Sequence, residues 1–178
     1  SVVDAWLDTR VHDQALLLVV AFQVAPAVAQ DTAEAVVGLL FGNRRTQTLL
    51  EPMAYLHRPE QEREPTSESL LCATRQALDW VPVQALSIGH AWIVGADPAR
   101  WAAITMAVDE APLLAECKQG LHDLDAQLGS PQCAAPWVAI AAAVESIRGE
   151  DKPHFIFSGD STADSRLWCS GVMPPSVS

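Results

Sequence analysis

Apolar positions fall along this chain in two kinds of run. The first kind is short, continuous and bounded by breakers. Ala15 to Val24 (ALLLVVAFQV) is apolar at every position but Gln23. Such a run predicts a strand covered on both faces. Ala25-Pro26 breaks it, and Asp4 to Asp13 before it reads as the end of a helix. Glu34 to Phe41 admits a helix by propensity, but its length and the Gly42-Asn43 stop favour a strand. Leu49 to His57 then predicts a further strand, entered past Pro52. Arg58 to Pro65 is polar and carries Pro59 and Pro65, which predicts an exposed loop.

The second kind of run has helical spacing. Thr66 or Ser67 caps a helix to about Trp80, with Leu70, Leu71, Thr74, Ala77 and Leu78 as its apolar stripe and Pro82 beyond its end. Leu86 to Val94 predicts the next strand. Asp97-Pro98 is a cap followed by a first-turn proline, and the helix it opens turns Trp101, Ile104 and Val108 inward. Pro112 to Gly120 connects to a tight turn at Leu128-Gly129. Ser130-Pro131 opens an Ala-rich helix with Trp137, Ile140, Val144 and Ile147 on its apolar face. Pro136 predicts a kink there. His154 to Phe157 and Arg166 to Met173 are closing strands around a polar turn, Ser158 to Ser165, and Pro174-Pro175 stops the last. Strands alternating with crossover helices and ending in a β-hairpin predict one α/β domain over residues 1–178 with a mixed sheet. The opening at Ser1 leaves room for a fragment of a longer protein or a processed product.

Charge narrows the function classes. The chain has 178 residues, 49% of them hydrophobic, and a net charge of −11. A phosphate backbone demands Lys and Arg, and 11 of these stand against 22 acids, so nucleic acid is not the expected partner. Anionic membrane surfaces are disfavoured likewise. The apolar run at Ala15 falls short of the ~20 residues of a membrane span, and no basic leader precedes it. A cytoplasmic setting is expected. Cys72, Cys117, Cys133 and Cys169 show no zinc spacing and read as buried, reduced thiols; neither a cofactor nor a metal is expected.

Few residues offer chemistry. His90 stands alone at a strand end, either as a catalytic base or as a half-buried structural histidine. Cys133 opens a helix, where its thiol is either activated or simply packed. His122, Asp123 and Asp125 could reach a metal from a loop, although solvated or capping roles suit so generic a spacing. Ser158-Gly159-Asp160-Ser161 resembles the block of GDS-type hydrolases, but there the block follows the first strand, and here it is a late turn built of turn residues. The six Trp suit core packing, with one or two available to anchor an interface.

The order of elements, with the Leu128-Gly129 turn and the Ala-rich helix after it, resembles the C-terminal part of a β-ketoacyl synthase of the thiolase-like superfamily. The resemblance runs from Ala15 to Val172. It implies a catalytic Lys before the Leu-Gly turn, a His directly after it, and a second His in a His-Gly-Thr-Gly-Thr strand. Here Asp125 stands at the Lys position and Ser130 at the first His position. His90 lies near the second, followed by Ala91-Trp92-Ile93-Val94 instead of the motif. No Cys precedes Cys72 to serve as the nucleophile. Condensation needs a thiolate and groups that stabilise a thioester-derived carbanion, and Asp125 offers the wrong charge. The resemblance therefore implies a scaffold without the family's reaction, working as a protein-binding or adaptor subunit or as one partner of a homo- or heterodimer. Adaptors that load lipase effectors in bacterial type VI secretion are similar in outline, without a shared motif. The alternative is an acyltransferase or thioester-handling enzyme with its catalytic groups relocated to His90 and Cys133.

Overall fold

The computed structural model describes residues 2–24, 32–114, 119–160 and 165–177. Helix α1 (Val2–Thr9) leads to β1 (Leu16–Gln23), which pairs antiparallel along its whole length with β2 (Ala35–Gly42). Asn43 ties the start of this ribbon to its end, donating from Nδ2 to the Arg10 and Asp13 carbonyls at 2.7 and 2.6 Å. The expectation that β1 is covered on both faces is corrected. Exposure alternates along both strands, and Leu18, Val20, Phe22, Val36 and Leu40 are open. The cause is pairing: β1 and β2 pair with each other and stay outside the larger sheet, so only one face finds cover.

The next stretch departs further from the sequence pattern. A 3-10 turn at Thr46–Thr48 and exposed Leu49, Leu50 and Met53 replace most of the strand predicted from Leu49 to His57; β3 is only Tyr55–Leu56. The predicted exposed loop from Arg58 to Pro65 carries β4 (Glu60–Gln61) and a buried Glu62. Polarity misled because Glu62 is paired and not solvated. Its Oε2 and Oε1 accept from Arg100 Nη2 at 2.6 and 2.8 Å, and Oε1 also accepts from the Leu167 N–H at 2.7 Å.

Local signals place the helices well. Thr66 caps α2 (Ser67–Asp79) by accepting from the Ser69 N–H, and Leu70, Ala73, Thr74 and Ala77 turn inward. Asp97 accepts from the Ala99 N–H at 2.8 Å, opening a 3-10 turn that runs on into α3 (Trp101–Glu110). Between these helices, β5 is His90–Val94; the preceding Ala85–Ser87 is a 3-10 turn and not the start of the strand. After β6 (Leu121–Asp123) and the short α4 (Leu124–Leu128), Gly129 takes φ +81, which glycine reaches without strain. The Ala-rich helix α5 (Ala135–Glu150) starts later than Ser130-Pro131 predicts. Pro136 therefore sits in the first turn, where a missing N–H costs nothing, and the expected mid-helix kink has no basis. Strands β7 (His154–Ser158) and β8 (Trp168–Met173) complete the fold.

The main sheet runs β3-β8-β7-β5-β6, with β4 also on β8. β5 pairs parallel with β6 and β7, while β8 runs antiparallel to β7, β3 and β4. It is a mixed α/β sheet. Helices α2 and α3 cover one face, burying Leu70 and Ile104 against Ile93, Phe155, Phe157 and Met173. Helix α5 covers the other, packing Ala135, Ala139 and Ala143 with Val94, Ile156 and Val172. These alanines recur every fourth residue, so the helix approaches the sheet closely. The far side of α5 meets the ribbon, where Trp137 stands edge-on to Phe41 at 6.2 Å between centroids. Helix α5 thus lies between two sheets. Among the described residues, no helix is long and apolar enough to cross a membrane.

Candidate functional site

In an open α/β sheet, ligands gather at the carboxyl ends of the parallel strands. Here those ends meet at Gly95 after β5 and Gly159 after β7. A Cβ on either glycine would collide with the backbone of the other, and Gly95 has φ +61, so the close approach requires both. Asp125, in the first turn of α4, closes this end of the sheet. Its Oδ2 accepts from the Gly95 N–H at 2.6 Å, and the Ala96 N–H also supports it. Its Oδ1 is buried and finds no hydrogen-bond partner among the described residues. Burial pushes the Asp125 carboxyl up, Asp123 adds to the rise, and the two N–H groups oppose it.

Ser130 lies just past the turn, where its carbonyl accepts from the Ala33 N–H at 2.9 Å and ties the turn to the approach of β2. Cys133 is exposed, against the expectation of a buried thiol. Its Sγ lies 3.2 Å from Gln23 Oε1, because the 3-10 turn at Gln132–Ala134 rests on the end of β1. Cys72 is also exposed, Cys169 is buried and pushed up to about 12 by that burial, and Cys117 lies outside the described residues. A polar groove of about 440 Å³ runs beside Cys133, bordered by Ser158, Gly159, Asp160, Ser165 and Arg166. Ser161, the serine of the hydrolase-like block, lies outside the described residues.

His90 is at the other end of the sheet. It opens β5, whereas Cys133 borders the groove beyond the ends of β5 and β7, so the structure does not bring the two together. Nor is His90 the lone histidine that the sequence presents. Strand register sets it opposite His154 and two residues before Trp92, which faces His122. His90 Nδ1 is 2.8 Å from His122 Nε2, and His90 Nε2 is 3.1 Å from Glu150 Oε2. The Trp92 indole N–H donates to His154 Nδ1 at 2.7 Å, so His154 carries its proton on Nε2, which is buried and has no partner among the described residues. Burial first, then the neighbouring His90, push His154 down to about 3. The same two causes lower His122.

Sequence reasoning missed this cluster because positions 90, 122 and 154 are joined only by strand register. The signal in the sequence was thin: His154 opens a predicted strand and His90 lies within another, but no strand is predicted around His122. The three residues weighed as a metal-binding loop are directed to separate tasks. His122 meets His90, Asp123 caps α4 through the Ala126 N–H, and Asp125 holds Gly95. Among the described residues, no group of three or more His, Cys, Asp or Glu is placed to hold a metal.

No family model matches this chain, and no curated protein matches it. Among solved structures, it is similar to the ishigamide ketosynthase/chain length factor, with a TM-score of 0.67 at 14% sequence identity. The match covers 97% of this chain and 52% of that one. At this identity the likeness speaks for the fold: a ketosynthase-like α/β architecture, spanning about half the length of the protein it matches.

Proposed function

We propose that this chain is a non-catalytic ketosynthase-like scaffold that works by binding another protein, in a cytoplasmic setting. One observation carries the reading, the open apolar face of the β1–β2 ribbon. Leu18, Val20, Phe22, Val36 and Leu40 are each more than half exposed, on neighbouring positions of one surface. A contiguous apolar surface of this kind marks an interaction site. An adaptor role, including the secretion-linked kind, fits the same surface.

The carboxyl end of the sheet supports the non-catalytic half of the reading. Asp125, which stands for the expected Lys, already engages the backbone N–H groups of Gly95 and Ala96. A carboxylate there opposes the negative charge that develops when a thioester is polarised. The enzymatic alternative, acyl-thioester chemistry shared between His90 and Cys133, draws no support from their placement at opposite ends of β5.

Two measurements test the proposal together. Purified chain incubated with acyl thioesters is expected to turn none over, and turnover above background would overturn the non-catalytic reading. Affinity capture with wild type and with the Leu18→Lys, Val36→Lys double variant is expected to recover a partner with the first only. A partner held equally by both would refute the ribbon as the binding surface.

A further inference from the structure

The stretch from β6 through α4 is lightly held. β6 has three residues at the edge of the main sheet, and among the described residues it pairs only with β5. From Leu121 to Leu128, Leu124 alone is buried. A short edge segment with so little buried surface opens before the rest of a fold. His122 is the side chain that ties it across to β5. It meets His90 Nδ1 at 2.8 Å and stacks on Trp92 with 4.5 Å between centroids. We infer that this contact is an acid-operated latch: unprotonated, His122 holds the β6–α4 segment on the sheet, and protonated, it lets the segment go.

A hydrogen bond between two imidazoles needs one nitrogen that carries a proton and one that does not. The pair meets that condition with one added proton. His90, with a proton on each nitrogen, then donates to His122 Nε2 on one side and to Glu150 Oε2, 3.1 Å away, on the other. A second added proton sets two N–H groups and two positive charges against each other across 2.8 Å. His154 cannot take that proton instead, because it is fully buried and its Nδ1 accepts from the Trp92 indole N–H. Half-buried His122 takes it by swinging into water. The titratable groups around it are His90 on β5, His154 on β7, Glu150 at the end of α5 and Lys152 just beyond. Of these, Glu150 alone favours a proton on His122, and Lys152 shares that carboxylate at 3.3 Å. Asp123, beside His122 on β6, caps α4 through the Ala126 N–H. Burial, then His90, lower His122 while β6 is docked. A freed His122 binds its proton more readily, so the freed form gains as the pH falls below about 6.5. Its effect reaches the other end of the sheet, because α4 carries Asp125 and its hold on Gly95.

Hydrogen exchange read by NMR on the 178-residue chain tests this, as protection factors between about pH 7.5 and about pH 5, with and without a little urea. The amides to follow are Gly95 and Ala126, bonded to the Asp125 and Asp123 carboxylates, and Gly129, bonded to the Asp125 carbonyl. The reference is the ladder between β7 and β8. The three amides should lose protection about fivefold or more as the pH falls, with little response to urea, while the ladder loses less and responds to it. Equal losses with equal urea dependence would mean that only the whole fold opens, and would overturn the latch. His122→Gln keeps a donor for His90 Nδ1 but does not titrate, so the local loss should vanish. A loss that persists in His122→Gln belongs to the Asp125 carboxyl and overturns the latch as well. Glu150→Gln is a second check at an exposed position. It removes the charge that favours the proton, so the midpoint of the loss should move to lower pH; an unmoved midpoint counts against the latch.

Discussion

Asp125 gives the carboxyl end of the main sheet its character, and a single carboxylate there serves two N–H groups. It accepts from the Gly95 N–H, which lies in the sharp turn after β5, and it is supported by the Ala96 N–H beside it. Asp125→Ala leaves buried N–H groups without an acceptor, which costs about 1–3 kcal/mol of stability. Asp125→Asn keeps a carbonyl oxygen in position and should cost clearly less. Urea denaturation of the two variants checks this; equal losses would mean that the charge, and not the hydrogen bonding, is what the site uses. The sequence draws the eye to Asp125 only through its neighbours Leu128 and Gly129. It does not expose the partner, because Gly95 is 30 positions away and the contact exists only once β5 and α4 are side by side.

Elements divide into those that carry their own signals and those that borrow them. Helices α2 and α3 carry caps within a few residues of their starts, at Thr66 and Asp97, so both are legible. Strands β3 and β4 have two residues each and pair on the edge that β8 offers; the predicted strand from Leu49 to His57 contains β3 but overshoots it, and nothing local announces β4. The β1–β2 pair is legible as strands, while its one-sided exposure depends on which layers lie around it. The Glu62–Arg100 pair belongs to this borrowed class. It joins the end of β4 to the turn before α3, and Leu167 brings in the approach to β8. Burial pushes the Glu62 carboxyl up, and the Leu167 N–H and Arg100 pull it back. Removing one partner strands the other, so Glu62→Ala should cost about 3–5 kcal/mol, as for other buried pairs. The double variant Glu62→Leu, Arg100→Met should lose far less than the sum of its single variants. A double-mutant cycle in urea measures the difference, and additive losses would show that the two charges are not coupled.

For the whole molecule, the histidine cluster contributes a loss of stability in acid, which the raised carboxyls of Glu62 and Asp125 oppose. The unperturbed histidine value is 6.5, and His154 is held at about 3 in the fold by burial and by His90, with His122 and Lys152 adding to the depression and Glu150 opposing it. Between those values the unfolded chain takes up a proton that the folded chain refuses. Stability is therefore whole above about pH 6.5 and drains as the pH falls through this window. His122, lowered by the same causes, adds with the same sign. Glu150, held below the usual carboxylate range by His90 and Lys152, extends the loss to lower pH. The urea midpoint should drop between pH 7 and pH 5. His154→Gln, which keeps an acceptor for the Trp92 N–H but does not titrate, should flatten the decline; an unchanged slope would assign it elsewhere.

Helix α5 has a consequence of another kind. It is wedged between the ribbon and the main sheet, so neither sheet can loosen without removing one wall of the same helix. Phe41 of the ribbon meets Trp137 on α5, and alanines of the same helix pack with Val94 and Ile156 of the main sheet. A partner that binds only the folded ribbon is expected to slow opening of the backbone along α5 and β7, which hydrogen exchange reads. A partner that never touches Asp125 would still steady the strand ends around it.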